Sequence, residues 1–383
     1  MTKLEKLIQE YCPDGVEFKP IKEVYQRLKG TPITAAKMKE IERADGDVRI
    51  FAGGKTVIDA YAEDIPKANI TRVPAVLVQS RGVIDVVYYE RPFTFKNEMW
   101  AYAHENKTAV KFLYYVLKNN VEKFREAASG MGSLPQISLK VTEDFEIPVP
   151  PLPVQREIVR ILDNFTALTA ELTAELAARK KQYQYYRDKL LLPADEISMV
   201  QLAEIADIGT GSSNTNEGLD EGEYPFYVRS QEPLRKNEYE FDETAIITAG
   251  DGVGVGKVFH YVEGKYALHQ RAYRIHINTP TVYPKYFFYY MKSAFLPYIE
   301  KTMFQGSVPS IRRPMLNAFP VPVPALDVQK RLVHVLDNFD AICSDLKIGL
   351  PAEIEARQKQ YEYYRDMLLT FKEKTSEKEE QVQ

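Results

Sequence analysis

The stretch with the most obvious chemical promise is Ala249–Val258, AGDGVGVGKV, where closely spaced glycines precede a lysine. Glycine turns can aim backbone N–H groups at a phosphate, but a phosphate-cradling loop needs G-x-x-x-x-G-K-[ST]. Here Asp251 stands at the first glycine position and Val258 replaces Ser or Thr. The dinucleotide spacing G-x-G-x-x-G is missing as well, and a glycine-rich β-hairpin is the better account. The five histidines (His104, His260, His269, His276, His334) form no i, i+4 pair and have no cysteine neighbour, so no metal site is expected. Carboxylates are many but scattered, and no Ser or Cys sits in a nucleophile-elbow sequence. Asn-Pro-Pro-aromatic and Asp-Pro-Pro-aromatic stretches, which would hold a target amine, are absent too. The expectation is a chain without catalysis of its own.

The elements around these residues carry the stronger signal, an internal repeat. KQYQYYRDKLL (Lys181–Leu191) returns as KQYEYYRDMLL (Lys359–Leu369), and the Pro-rich entry IPVPPLPVQREIVRILDNF returns as VPVPALDVQKRLVHVLDNF. Gln155 matches Gln329, and Asp163, Asn164 and Phe165 match Asp337, Asn338 and Phe339, each 174 residues on. GSLPQI at Gly132–Ile137 matches GSVPSI at Gly306–Ile311 at that same spacing, whereas Tyr183 matches Tyr361 at 178. Four residues have been gained between the anchors.

Ile158, Ile161, Phe165, Leu168, Leu172, Leu176, Tyr183, Tyr186 and Leu190 step by three or four apart from one gap filled by Arg179, which predicts a long helix with a partner along its length. The second copy repeats that stripe with one added rung, as a four-residue stutter does. Gly349, Leu350 and Pro351 should break the second helix, because proline suits a first turn and not an interior. One helix of about 39 residues, near 58 Å at about 1.5 Å per residue, and one in two pieces are expected. The order globule, helix, globule, helix makes the helices run out and back. They should pair antiparallel, with the N-terminal segment near the end of the second helix.

Length and composition fit this plan. The 383 residues suffice for two or three domains, and 45% hydrophobic with 27% charged residues is ordinary for a globular chain. A net charge of −4 argues against a broadly basic nucleic-acid binder and leaves room for local basic patches. Two cysteines, Cys12 and Cys343, and no secretory leader point to the reducing cytoplasm. No run approaches the roughly 18 apolar residues of a membrane span.

The first globule, about 16–145, mixes strand-like runs (AVLVQS, VIDVVYY) with a helix near 108–129. The second, about 197–318, offers EYPFYVRS, TAIITAG, GKVFHYV and AYRIHI with a helix near 284–304. The fold class expected is α+β, with two mixed globules separated by two long antiparallel helices that form a coiled coil, in a pseudo-twofold repeat. The boundaries are 1–15 for an N-terminal helical segment, 16–150 and 197–322 for the globules, 151–196 and 323–372 for the helices, and 373–383 for a disordered tail.

This order, together with the Pro-rich exits, LDNF and KQYxYYRD, resembles the specificity subunit of type I restriction–modification systems over nearly the whole chain. EYCPDGVEFKPIKEV and SRGVIDVVYYERPFTFKNEMW are similar to the opening and middle of such a subunit's first target recognition domain. The resemblance implies that each globule reads one half of an asymmetric bipartite DNA target in the major groove. It implies that the helices fix the unread spacer and dock two modification subunits. S-adenosylmethionine would be carried by those subunits, ATP and magnesium by two restriction subunits, and no cofactor by this chain. Base readout needs Arg, Lys, Asn, Gln, Ser or Thr on loops that reach the groove. The candidates in the first domain are Lys29, Thr31, Thr34, Lys37, Lys55, Ser80, Arg81, Gln136 and Ser138. Those in the second are Thr210, Ser212, Arg229, Gln231, Lys257, Gln270, Arg271, Arg312 and Arg313. Arg81 and Arg229 lead, because each follows a strand in a turn. For docking the partners, Gln155, Asn164, Tyr185, Arg187, Gln329, Asn338, Tyr363 and Arg365 recur at polar or off-stripe positions. A two-headed coiled-coil scaffold without DNA readout is the alternative reading, and a nucleic-acid enzyme with an unrecognised site is a third.

Overall fold

Runs such as AVLVQ and TAIITA are rich in β-branched and small apolar residues, so they suit strands covered on both faces. The computed structural model describes residues 2–53, 56–128, 135–191, 197–302 and 309–374. It divides into two compact units, Met1–Glu171 with Glu355–Gln383 and Leu172–Ile354.

In unit 1 the strand Ala75–Gln79 lies between Met99–Ala103 and Asp85–Tyr89 in a four-stranded antiparallel sheet whose other edge is Gln26–Leu28. Val76 and Val78 face the core formed with the helix Lys107–Asn119, and Ala75 and Leu77 face a second core with Phe51, Phe93 and Phe95. That is the period-two alternation of a strand packed on both sides. A three-stranded sheet joins Val57–Ala60, Val48–Phe51 and Phe93–Phe95, the last pair parallel. The helix Lys107–Asn119 starts at Asn106, whose side chain accepts from the Thr108 N–H at 2.9 Å. The sequence predicts one helix over 108–129, but it stops at Asn119 and a short helix, Val121–Glu126, follows. Asn120 causes the break, since it leaves the helical region and its side-chain amide donates back to the Val116 carbonyl at 2.8 Å. Ser129 lies outside the described residues.

Unit 2 repeats the plan with one six-stranded sheet, ordered Ala206–Thr210, Ala272–Ile277, Phe241–Ala249, Phe259–Leu268, Tyr224–Tyr227 and Leu234–Lys236. Its one parallel pair, Phe226–Tyr227 with Ala267–Leu268, matches the parallel pair of unit 1. The helix Pro284–Thr302 buries Tyr286, Phe287, Tyr289, Met291, Phe295 and Ile299 against this sheet. The expected glycine-rich hairpin is present, since AGDGVGVGKV connects the antiparallel strands Phe241–Ala249 and Phe259–Leu268.

One helix of 40 residues, Leu152–Leu191, contributes its start to the core of unit 1 and its end to the core of unit 2. The second copy is broken as the Gly-Leu-Pro sequence predicts, into Leu326–Ser344 and Leu350–Leu368. Asp345 holds the break, its carboxylate accepting from the Lys347 and Ile348 N–H groups at 2.6 and 3.1 Å. In unit 1 the N-terminal helix Lys3–Tyr11 shares a core with Leu368 and Leu369, as expected from the topology. The boundary of a disordered tail at 373 is corrected, because the backbone of residues 372–374 pairs with Val16 at 2.8 and 3.0 Å. Residues 375–383 lie outside the described ones.

Candidate nucleic-acid interface

The repeated motifs LDNF and KQYxYYRD are each other's partners. In unit 1 Phe165 of the first LDNF stacks on Tyr364 at 5.6 Å and meets Tyr361 at 6.4 Å. Glu157 and Ile161 share a recess with Met367 and Leu368, so the two helices run antiparallel in this unit. In unit 2 Phe339 of the second LDNF stacks on Tyr186 and Tyr183 at 6.1 and 6.2 Å. Each copy's phenylalanine therefore takes the other copy's tyrosines, which is why both motifs had to be kept twice.

The LDNF aspartates tie these helices to the globules. Asp163 accepts from the Tyr115 hydroxyl and lies 3.4 Å from the Lys111 ammonium. Asp337 accepts from Tyr289 at 2.6 Å and from Lys285 at 2.8 Å. Lys111 and Tyr115 precede Lys285 and Tyr289 by the same 174 residues that separate the aspartates, so the clamp is itself part of the sequence repeat. Burial and the neighbouring Asp163 push the Tyr115 hydroxyl far above its ordinary pKa, so it stays a donor.

Two of the docking candidates are corrected. Gln155 and Gln329 are buried, and each amide donates at 2.7 Å to a carbonyl of the Pro-rich entry, Pro150 and Pro324 respectively. Gln329 also accepts from the Tyr283 N–H at 2.8 Å. These glutamines latch the helix start and cannot meet a partner. Tyr185 and Tyr363 do face solvent, at 60% and 66% exposure, each edge-on to the stacked tyrosine that follows it. Asn164 and Asn338 are exposed as well. Arg187 and Arg365 are mostly covered and pair with the adjacent Asp188 and Asp366 at 2.7 and 2.8 Å.

Among the candidate readers, Thr31 and Ser80 are also corrected. Thr31 is fully buried, bonds Thr94 at 2.7 Å and accepts from the Asn69 N–H at 2.9 Å. Ser80 is buried and donates to the Glu98 carbonyl. Both hydroxyls close the interior, since a buried polar group needs a partner there. Thr34 caps the helix Ala35–Ile41, and Lys37 pairs with Glu40 at 2.7 Å. Lys29, Arg81, Gln136 and Ser138 are exposed, whereas Lys55 lies outside the described residues. In unit 2, Thr210, Gln231, Lys257, Arg312 and Arg313 are exposed. Ser212 is held by Glu240 at 3.1 Å, and Gln270 donates to Asn214.

Arg229 and Arg271 come together at one place. Both guanidiniums donate to Asp251, at 2.6 and 3.1 Å. The glycines of the hairpin explain how: a Cβ at Gly250 would lie 2.6 Å from the Arg271 carbonyl oxygen, and one at Gly254 would lie 2.6 Å from that of Arg229. Only glycine lets the turn press against both arginine backbones and thread Asp251 between them. Burial would raise the Asp251 carboxyl, but Arg229 and then Arg271 outweigh it and hold it below its ordinary value. The carboxylate that disqualified a phosphate loop is thus the anchor of an arginine pair. Among the described residues no group of three or more His, Cys, Asp or Glu is placed to hold a metal ion, and no helix is long and apolar enough to cross a membrane.

Comparison with known proteins agrees with this geometry. The family model described as the type I restriction modification DNA specificity domain matches twice, over residues 13–179 and 194–356. The specificity subunit of an Escherichia coli type I restriction enzyme is 32% identical, over 97% of this chain and 97% of its own. A protein of Haemophilus influenzae named as a type I restriction enzyme specificity subunit is 30% identical over 97% and 98%. Among solved structures, the S subunit of a type I system from M. genitalium aligns with a TM-score of 0.57 at 18% identity, covering 92% of this chain and 95% of that one. A chain from a study of complex assembly in a type I system aligns at 0.59 and 14% identity, covering 93% and 98%. At these identities the structural matches establish the fold.

Proposed function

The chain belongs to the type I restriction–modification DNA specificity family, and from that premise we infer how its two units divide the work. It is the non-catalytic, DNA-recognising subunit of such a system, and it acts with partner subunits on DNA. Each globule takes one half of a bipartite target through the major groove, and the two halves differ because the loops of the globules differ. The observation that carries this reading is the double family match laid over a reciprocal repeat, in which LDNF of one copy is completed by the tyrosines of the other.

The finer assignments follow from exposure. Tyr363 with Asn164 in unit 1, and Tyr185 with Asn338 in unit 2, form the matching patches on which two modification subunits dock, one on each unit. Aromatic side chains that are solvent-facing yet fixed by a neighbouring ring are what interface hot spots favour. S-adenosylmethionine belongs to those subunits, and ATP with magnesium to two restriction subunits. The readers are the exposed members of the candidate set, with Arg81 in unit 1 and Arg229 and Arg271 in unit 2 foremost. A net charge of −4 suits a subunit that shares its grip on the phosphates with partners.

The test is to co-express the chain with a modification subunit, purify the complex and incubate it with labelled S-adenosylmethionine and a pool of random duplexes. Methyl transfer confined to duplexes that share two separated blocks supports the reading, and transfer without sequence preference rejects it. The helix lengths give a second handle. Deleting Gly349–Ala352 removes about one turn, roughly 6 Å, and should change the accepted gap by about two base pairs. A gap that stays the same after the deletion rejects a measuring role for this helix.

A further inference from the structure

The corner that gathers Arg229, Asp251 and Arg271 in unit 2 has a counterpart in unit 1. Gly82 N–H donates to the Pro135 carbonyl at 2.9 Å and Gly252 N–H to Pro309 at 2.9 Å. Ile137 N–H donates to Ser80 at 3.0 Å and Ile311 N–H to Gly250 at 2.9 Å. Arg81 bridges Gln136 as Asp251 bridges Ser310, and Gly82 and Gly252 share a left-handed backbone with φ of 76° and 83°. Arg81 and Asp251 are therefore equivalent positions. Sheet register supplies the others. Glu98 and Arg271 stand immediately before the strands Met99–Ala103 and Ala272–Ile277, and Gly53 and Arg229 follow the parallel-paired Phe51 and Tyr227 by two residues.

At equivalent places the signs are exchanged. Unit 1 has Arg81 where unit 2 has Asp251, and Glu98 where unit 2 has Arg271. Glu98 is occupied by Lys96 at 3.0 Å and by the Gly53 N–H at 3.3 Å, and Arg81 is exposed at its corner. In unit 2 Asp251 keeps the two guanidiniums together while the Arg271 side chain remains 62% exposed. Both corners project. Val253, just beyond Gly252, is 92% exposed, and its counterpart Val83 is 41% exposed. Exchanged charges at matched, protruding positions are what two readers of unlike sequences would present.

We propose that this corner is the specificity-determining element of each unit, with Arg81 reading a guanine in one half-site and the Asp251-held Arg229 and Arg271 reading guanine in the other. The inference rests on the DNA-reading role stated above and adds the base and the residues. The arginine fork matches the O6 and N7 acceptors of guanine in the major groove. Asp251 is a positioning residue, since it fixes the forks without touching a base itself. Because the arginine arrives from opposite sides of the corner in the two units, the guanine falls at different places in the two halves.

The experiment uses the complex of the full chain with its modification subunits and a panel of duplexes, each carrying one base-pair change in the target that the wild type prefers. Arg271→Ala and Arg229→Ala should flatten the preference at guanine positions of one half-site, from about tenfold or more to near none, and leave the other half unchanged. Arg81→Ala should do the mirror image. Asp251→Asn should weaken the same positions as the unit 2 arginine variants. Replacing the guanine by 7-deazaguanine removes the N7 acceptor, so it should slow the wild type and add nothing in the arginine variant. Arg271→Lys and Arg229→Lys keep the charge and guard against misfolding, and they too should lose the preference. Uniform weakening on every duplex with all preferences intact would make these arginines phosphate contacts and overturn the corner. A wild-type complex with no base preference would instead remove the reading beneath it.

Discussion

Units 1 and 2 agree where a helix meets a globule and disagree where a globule meets solvent. Asp163 holds a tyrosine and a lysine of the globule helix in unit 1, and Asp337 holds the matching pair in unit 2. At the outer corner unit 1 has Arg81 where unit 2 has Asp251, and Glu98 where unit 2 has Arg271. The contrast teaches a division of labour. Contacts that fix the frame were copied with their side chains, whereas the solvent-facing positions of the corner changed even their sign.

The largest effects are expected from substitutions in the copied frame. Phe165→Ala and Phe339→Ala each remove a ring packed on two tyrosines and should cost about 2–4 kcal/mol. Asp163→Ala and Asp337→Ala, which leave a tyrosine hydroxyl and a lysine without their acceptor, should cost about 1–3 kcal/mol. Chemical denaturation followed by near-UV dichroism reads both, and each pair should match within experimental scatter. A pair whose members differ several-fold would show that the repeat is not energetic.

The docking patch should behave in the opposite way. Tyr185→Ala and Tyr363→Ala should leave stability within about 0.5 kcal/mol. Each should nevertheless weaken binding of a modification subunit by about 2 kcal/mol. Titration of the partner against the purified variants separates the two effects, and equal loss of stability and affinity would place these tyrosines in the frame.

A smaller effect sharpens the contrast. Glu157 is buried in unit 1, where Arg160 and then Lys3 of the N-terminal helix hold its carboxyl down to about 2 in spite of the burial. The matching residue in unit 2 is the exposed Arg331. A depressed carboxylate stabilises above its ordinary value of 4.5 and loses that contribution as pH falls from there toward about 2. Glu157→Gln should flatten the acid limb of unfolding in that window. An unchanged limb would remove Glu157 from the acid response of unit 1.

Much of this frame was legible in the sequence. The helical stripes, the break before Pro351 and the glycine hairpin all follow from local periodicity and turn chemistry, which act over a few residues. Polar residues were harder to place. Thr31, Ser80, Gln155 and Gln329 resemble surface groups until Thr94, the Glu98 carbonyl and the Pro-rich entries arrive from distant parts of the chain. Asp251 misled in the other direction. Its charge ruled out a phosphate loop, but nothing local showed that Arg229 and Arg271 would converge on it, because that contact depends on strand register across three segments. The LDNF clamp was within reach, since Lys111, Tyr115 and Asp163 recur together at one spacing.

A duplicated frame with unlike corners should carry two independent addresses on one chain. Expressing the chain with a modification subunit in a host lacking other adenine methylation, and mapping methylated adenines across the genome, reads both addresses at once. The expected outcome is one motif of two unlike blocks separated by a fixed gap. A symmetric motif, a single block, or no motif despite a stable complex would contradict it.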